Sequence, residues 1–106
     1  IKENKEEDLD SLQLLIIPAS SEGLVVSIKI AQQLRNKNVS TSICSSDRSF
    51  KAQMRYANQI NANNIIVIGE KEISTNKITI KNLSSKIEKT VDLTSEDILS
   101  VLDSNG

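Results

Sequence analysis

Leu12 to Ile17 forms a short apolar run that Pro18 stops. A continuous run of that length reads as a strand buried on both faces, as in a parallel sheet. Ala19-Ser20-Ser21 follows, and either serine can cap a helix whose positive end Glu22 favours. From Glu22 to Asn36 the period becomes helical: Leu24, Ile28, Ala31 and Leu34 share one face, with Val25 beside them. Asn38 makes a turn, and Val39 to Cys44 reads as a second short strand. Ser45-Ser46-Asp47 offers another helix start, and Phe50, Met54, Ala57 and Ile60 give that second helix its buried face. Asn61 to Asn64 ends it, Ile65 to Ile68 is a third apolar strand, and Gly69 closes that strand. The order β-α-β-α-β is that of a parallel sheet with right-handed crossovers.

The pattern then changes. Between Lys77 and Asn82 the positions alternate, Ile78 and Ile80 on one side and Lys77, Thr79 and Lys81 on the other. Ile87, Val91 and Leu93 alternate in the same way after a turn near Ser84-Ser85. Alternation predicts strands with one wetter face, antiparallel and nearer the sheet edge. Thr94 caps a last helix with Asp97 in the capping-box position, and Ile98, Leu99, Val101 and Leu102 pack it down. The expected class is α/β. Residues 1–11 are charged and aperiodic, so they read as a linker from a preceding catalytic domain absent from this sequence. The domain proper then covers 12–103, and 104–106 form a frayed tail.

Composition narrows the chemistry. With 106 residues there is room for one core, and with 2% aromatics that core is built from Ile, Leu, Val and Ala. The chain has no histidine and a single cysteine, Cys44. That removes the commonest general base and leaves no internal disulfide or cysteine cluster, so no catalytic residue and no metal site is expected. No apolar run approaches the roughly 20 residues of a membrane span. The net charge of −1 hides an asymmetry. Residues 13–91 hold eleven Lys and Arg against five acids, while both ends are acidic. A basic body makes a polyanion partner plausible, although an unevenly charged solvated surface gives the same count.

Ligands of open α/β sheets gather at the carboxyl ends of the parallel strands, here Pro18 to Ser21, Ser45 to Arg48 and Gly69 to Glu72. None of these loops carries a nucleotide-phosphate fingerprint. Arg48, Lys51 and Arg55 fall at i, i+3 and i+7, which suits either phosphate contacts or a solvated helix face. Glu72 sits where a buried strand surfaces, and its carboxylate can accept from base amines or simply decorate a loop. Lys81 and Asn82 end the fourth strand, where lysine can hold a phosphate and asparagine a base edge, or the pair can merely make a turn. Tyr56 can stack a base or pack in the core, and Cys44 reads as a small buried residue. Lys77, Lys86 and Lys89 read as protection of exposed strands.

These residues carry a resemblance. Asp47-Arg48-Ser49-Phe50-Lys51-Ala52-Gln53-Met54-Arg55-Tyr56-Ala57-Asn58 is similar to the second helix of histidyl-tRNA synthetase C-terminal domains, where the wording is close to G-R-S-L-K-K-Q-M-K-Y-A. Ile65 to Glu72 resembles the family's strand-G-E-x-E segment, Ile78 to Leu83 its V-x-V-K-N-L strand, and Leu14 to Pro18 its opening strand. The resemblance implies a three-layer α/β/α anticodon-binding domain with a five-stranded mixed sheet in the order 2-1-3-4-5, strand four antiparallel, and three main helices. It implies contacts to the anticodon stem-loop from Asp47, Arg48 and Ser49 at the entrance of the second helix, from Glu72 beyond strand three, and from Lys81 with Asn82. The family often has Gly where Asp47 stands, and an acid there either caps the helix or weakens phosphate contact.

The partner implied is a tRNA, specific for histidine, and neither DNA nor a membrane. The parent is expected to be a cytoplasmic, homodimeric ligase that uses ATP and Mg2+, whereas this stretch needs no cofactor and by itself catalyses nothing. A regulatory paralogue that keeps the fold without tRNA binding, of the histidine-biosynthesis type, is the alternative. A receiver domain would need acids after strand one and a flavodoxin a longer loop, and Pro18-Ala19-Ser20 provides neither.

Overall fold

The computed structural model describes residues 12–44, 49–59 and 62–105. The linker expected over 1–11, the helix start expected at Ser45-Ser46-Asp47 and the tail residue Gly106 lie outside that set. So do the side chains of Phe50, Met54, Ala57 and Ile60, the expected buried face of the second helix. The elements run β1 (Leu14–Pro18), α1 (Ser21–Arg35), β2 (Thr41–Ile43), α2 (Phe50–Gln59), β3 (Asn64–Ile68), α3 (Glu70–Thr75), β4 (Lys77–Asn82), β5 (Glu88–Asp92) and α4 (Ser95–Asn105). The sheet order is β2-β1-β3-β4-β5, as the resemblance implied. β1 pairs in parallel with β2 and β3, and β4 pairs antiparallel with both β3 and β5.

Strand β1 is buried along its whole length because both faces of the sheet are covered at its centre. Leu14 and Ile16 enter one core with Ile66, Ile68, Ile78, Ile80 and the helical residues Ile30, Ala31, Leu34, Ile98, Val101 and Leu102. Leu15 and Ile17 enter the other with Leu12, Cys44, Ala62 and Ile65, against which Tyr56, Val67 and Leu83 pack. The period-two alternation thus feeds two layers. Each buried Ile or Leu contributes roughly 1.5–3 kcal/mol. Two-sided burial therefore outweighs the weak intrinsic preference of any helix here.

Helix α1 is rotated from its expected face. Its buried residues are Gly23, Ser27, Ile30, Ala31 and Leu34, while Val25 is 68% and Ile28 46% exposed. The cause is close approach: a Cβ on Gly23 would lie 2.1 Å from the carbonyl oxygen of Ile68. Small residues at 23 and 27 therefore face the sheet, and the buried Ser27 hydroxyl donates to the Gly23 carbonyl at 2.6 Å. Of the two candidate caps, Ser20 is the one used, accepting from Gly23 N–H at 2.9 Å.

Three further differences have local causes. Residues 70–75, whose first three positions read as part of a strand-end loop, form the short helix α3 beside the three longer ones among the described residues. Val39 N–H bonds the Leu34 carbonyl and belongs to the exit of α1, which shortens β2 to Thr41–Ile43. Ile87 precedes β5 and is 57% exposed, because Lys86 takes a left-handed turn (φ 66°) before the strand begins. Helix α4 starts as expected, with Thr94 Oγ1 accepting from Asp97 N–H at 3.1 Å, and runs to Asn105, past the expected end at 103.

Candidate nucleic-acid interface

The carboxyl ends of β1, β2 and β3 share one edge of the sheet, and α1, α2 and α3 each begin there. β2 and β3 flank β1, so their carboxyl ends are about two strand spacings, roughly 10 Å, apart. Ser49 begins α2: its hydroxyl accepts from Ala52 N–H at 3.2 Å and its carbonyl from Gln53 N–H at 2.9 Å. Lys51 and Arg55 follow at i and i+4, both exposed and without a partner among the described residues. Asp47 and Arg48, placed at this entrance by the resemblance, lie outside the described residues. Tyr56 is half-buried against the second core, which is the packing reading of that ring. Gln53, to which the sequence assigns no role, is buried at 3% exposure.

On the same edge, Glu72 folds back over the start of α3. Its Oε1 accepts from Gly69 N–H at 2.8 Å, which is half of a capping box, since Gly69 has no side chain to return the bond. The other carboxylate oxygen has no hydrogen-bond partner among the described residues. Gly69 also keeps the corner tight, because a Cβ there would meet Ala19 Cβ at 3.1 Å and Glu72 Oε1 at 3.3 Å. The result is a half-buried carboxylate with one oxygen fixed and one presented, suited to accept from a base amine.

Lys81 and Asn82 are not at this edge. β4 runs antiparallel, so Asn82 pairs with Asn64 at the opposite end of β3 and Lys81 pairs with Ile65. That is about 13 Å along the strand from Ile68. Lys81 is half-buried on the α2 side of the sheet and has no partner among the described residues. The Asn82 amide is engaged through both its oxygen and its nitrogen. Its Oδ1 accepts from the N–H groups of Ser84 at 3.0 Å and Ser85 at 2.8 Å, and its Nδ2 donates to Asn64 Oδ1 at 3.2 Å. Asn82 therefore builds the β4–β5 turn and ties it to the buried Asn64.

Between these two ends the α2-side face of β4 and β5 is open. Its cross-strand pairs are Lys77–Asp92, Thr79–Thr90 and Lys81–Glu88. The Lys77 ammonium meets Asp92 Oδ1 at 2.5 Å, and the two threonine hydroxyls share a hydrogen bond of 2.9 Å. The hydrogen bond to Asp92, reinforced by its charge, raises the Lys77 pKa above the ordinary lysine value. This is the only ion pair among the described residues, so the other described cations of the basic body are electrostatically available. The alternation of Lys77, Thr79 and Lys81 marks this wet face in the sequence, but gives no sign that it joins two parts of a site.

On the far side of the sheet a groove between α1, α3 and α4 is floored by Val26, Ile30, Ile73 and Leu93 and rimmed by polar residues that include Lys29, Gln33 and Glu96. Among the described residues no group of His, Cys, Asp and Glu could hold a metal, and no helix is long and apolar enough to cross a membrane.

A family model described as an anticodon binding domain matches residues 13–105. The chain is 36% identical over 85 residues to a histidine–tRNA ligase of Thermoanaerobacter sp., covering 78% of this chain and 20% of that protein. It is 36% identical over 93 residues to one of Staphylococcus saprophyticus, covering 87% of this chain and 22% of that protein. Its fold superposes on apo S. aureus histidyl-tRNA synthetase with a TM-score of 0.80 at 26% identity, over 88% of this chain and 27% of that one. The chain spans about a fifth of the length of the curated relatives it matches. With the sheet order, the matched span and these relatives in agreement, the chain belongs to the anticodon-binding domain family, as the form found in histidine–tRNA ligases.

Proposed function

We propose that this domain binds the anticodon stem-loop of a histidine tRNA, as the recognition module of a longer ligase that joins histidine to that tRNA using ATP and Mg2+. The observation that carries the reading is the pairing, on one sheet edge, of a presented Glu72 carboxylate with the exposed cations Lys51 and Arg55 of α2. Cations position the sugar–phosphate backbone, and a fixed acceptor reads an unstacked base. Arg48 and Asp47 extend the entrance of α2 in this reading. Lys81 supplies a phosphate contact at the far end of the same sheet face, and Ser49 and Asn82 hold the helix start and turn that aim their neighbours. The parent works as a cytoplasmic homodimer, and chemistry at the amino acid belongs to parts of it beyond this domain.

The test is binding of the domain to a histidine tRNA anticodon stem-loop, against a scrambled loop, at two salt concentrations and up to high micromolar protein. The expected result is preference for the true loop, weakened by salt and by Glu72→Gln or Lys81→Ala. Equal binding of both loops reduces the site to a generic basic surface. No binding at low salt overturns the reading in favour of a regulatory paralogue.

A further inference from the structure

The two ends of the candidate interface are joined by the open face of β4 and β5, and every paired side chain on that face is polar: Lys77, Thr79 and Lys81 beside Asp92, Thr90 and Glu88. Thr79 and Thr90 are exposed, and the side chains of Lys77 and Asp92 retain 58% and 49% of their accessibility. A face without an apolar position gains nothing by burying a helix, so its partner is water or a polar ligand. The paired register of β3 and β4 runs from Asn64 with Asn82 to Ile66 with Ile80. Carried onward, that register sets Ile78 beside Ile68 and Lys77 level with Gly69, whose N–H holds the Glu72 carboxylate. Lys77 thus stands at the Glu72 end of the face and Lys81 at the other, about 13 Å apart along β4.

We propose that Lys77 is a further tRNA-backbone contact, and that Asp92 holds its place in the free domain and yields it to a phosphate oxygen when RNA binds. This rests on the anticodon-binding reading above. An exposed ion pair is weak because water screens both charges, so a phosphate can compete with Asp92 for the same ammonium. The exchange keeps Lys77 charged and oriented in both states. It also leaves the Thr79 and Thr90 hydroxyls beside the bound strand, where they can meet a 2′-hydroxyl.

The experiment is a double-mutant cycle read by binding of the histidine tRNA anticodon stem-loop across a salt series, with circular dichroism confirming each fold. Lys77→Ala should weaken binding several-fold and lower the log–log salt slope by about 0.7–0.9, one phosphate contact. Asp92→Asn should tighten binding, and by more than Glu96→Gln, which removes a like charge beside the groove on the far side of the sheet. In the Lys77→Ala background the extra gain from Asp92→Asn should vanish. If the wild-type domain binds and Lys77→Ala binds equally well with an unchanged slope, the inference is overturned while the anticodon reading stands. The same holds if Asp92→Asn gains as much with Lys77 absent. If the wild-type domain binds no stem-loop, the anticodon reading fails and takes the inference with it.

Discussion

Gly23→Ala should unfold the domain more than its chemistry suggests. In an exposed helix, Ala in place of Gly stabilises by up to about 1 kcal/mol. Here the added Cβ would lie 2.1 Å from the Ile68 carbonyl oxygen, 3.0 Å from its carbon and 3.1 Å from Ser20 Oγ. The first two are backbone atoms at the end of a central strand, and that same oxygen accepts from Ala19 N–H at 2.8 Å. Helix α1 must therefore lift off the sheet. Overpacking costs about 1–3 kcal/mol, and loss of the Ala19–Ile68 bond adds about 0.5–1.5 kcal/mol. Set against the helix gain, the net loss is about 2 kcal/mol. For a domain of this size that lowers Tm by about 8–16 °C and the urea midpoint by about 1 M.

The assay is urea unfolding followed by far-ultraviolet circular dichroism, with Gly69→Ala as the comparison. At Gly69 the new Cβ meets side-chain atoms at 3.1 and 3.3 Å, one of them on the flexible Glu72, so the loss should stay below about 1 kcal/mol. A Gly23→Ala midpoint equal to or above wild type would refute the close-approach account of why α1 turns Gly23 and Ser27 toward the sheet.

Other substitutions separate structure from recognition. Glu72→Gln keeps an acceptor for Gly69 N–H and should hold stability within about 0.5 kcal/mol, whereas Glu72→Ala should cost about 1 kcal/mol; thermal melts distinguish the two, and stem-loop titration should show both weakened if the charge reads a base. Asn82→Ala removes the acceptor for two turn N–H groups and the donor to Asn64, so it should cost about 2 kcal/mol by the same melts. Lys51→Ala and Arg55→Ala should each leave stability within about 0.5 kcal/mol of wild type while lowering the salt slope of stem-loop binding by about 0.7–0.9. Cys44 is 2% exposed, so a thiol reagent should modify it at the rate of unfolding and not in the native state.

The sheet is legible in the sequence because its signals are local. Unbroken apolar runs mark β1 and β3, alternation marks β4, and Thr94 and Ser20 announce helix starts that the structure uses. What the sequence hides depends on contacts between distant segments. Counting apolar residues misplaces the face of α1 because it ignores Gly23 and Ser27, whose small size matters only once the Ile68 carbonyl is overhead. A Gly and a Ser four residues apart in a helix are the available sign. Helix α3 escapes a pattern reading because its 6 residues have no buried member, and its start is fixed by the Glu72-to-Gly69 bond rather than by an apolar stripe.

The candidate site divides along a physical line that motif matching does not see. Ser49, Glu72 and Asn82 each make hydrogen bonds that a helix start or a turn requires. Residues of that kind serve the architecture whether or not the chain binds RNA, so their match to the family supports the architecture more directly than the recognition. Lys51, Arg55 and Lys81 make no such bonds among the described residues. Nothing in the packing demands a cation at those positions. The stronger argument for a polyanion partner therefore comes from the residues that contribute least to stability. It follows that a regulatory paralogue would keep Ser49, Asn82 and the Glu72 cap while losing the unpaired cations, so substitutions at Lys51, Arg55 and Lys81 discriminate the two readings better than substitutions at the turns.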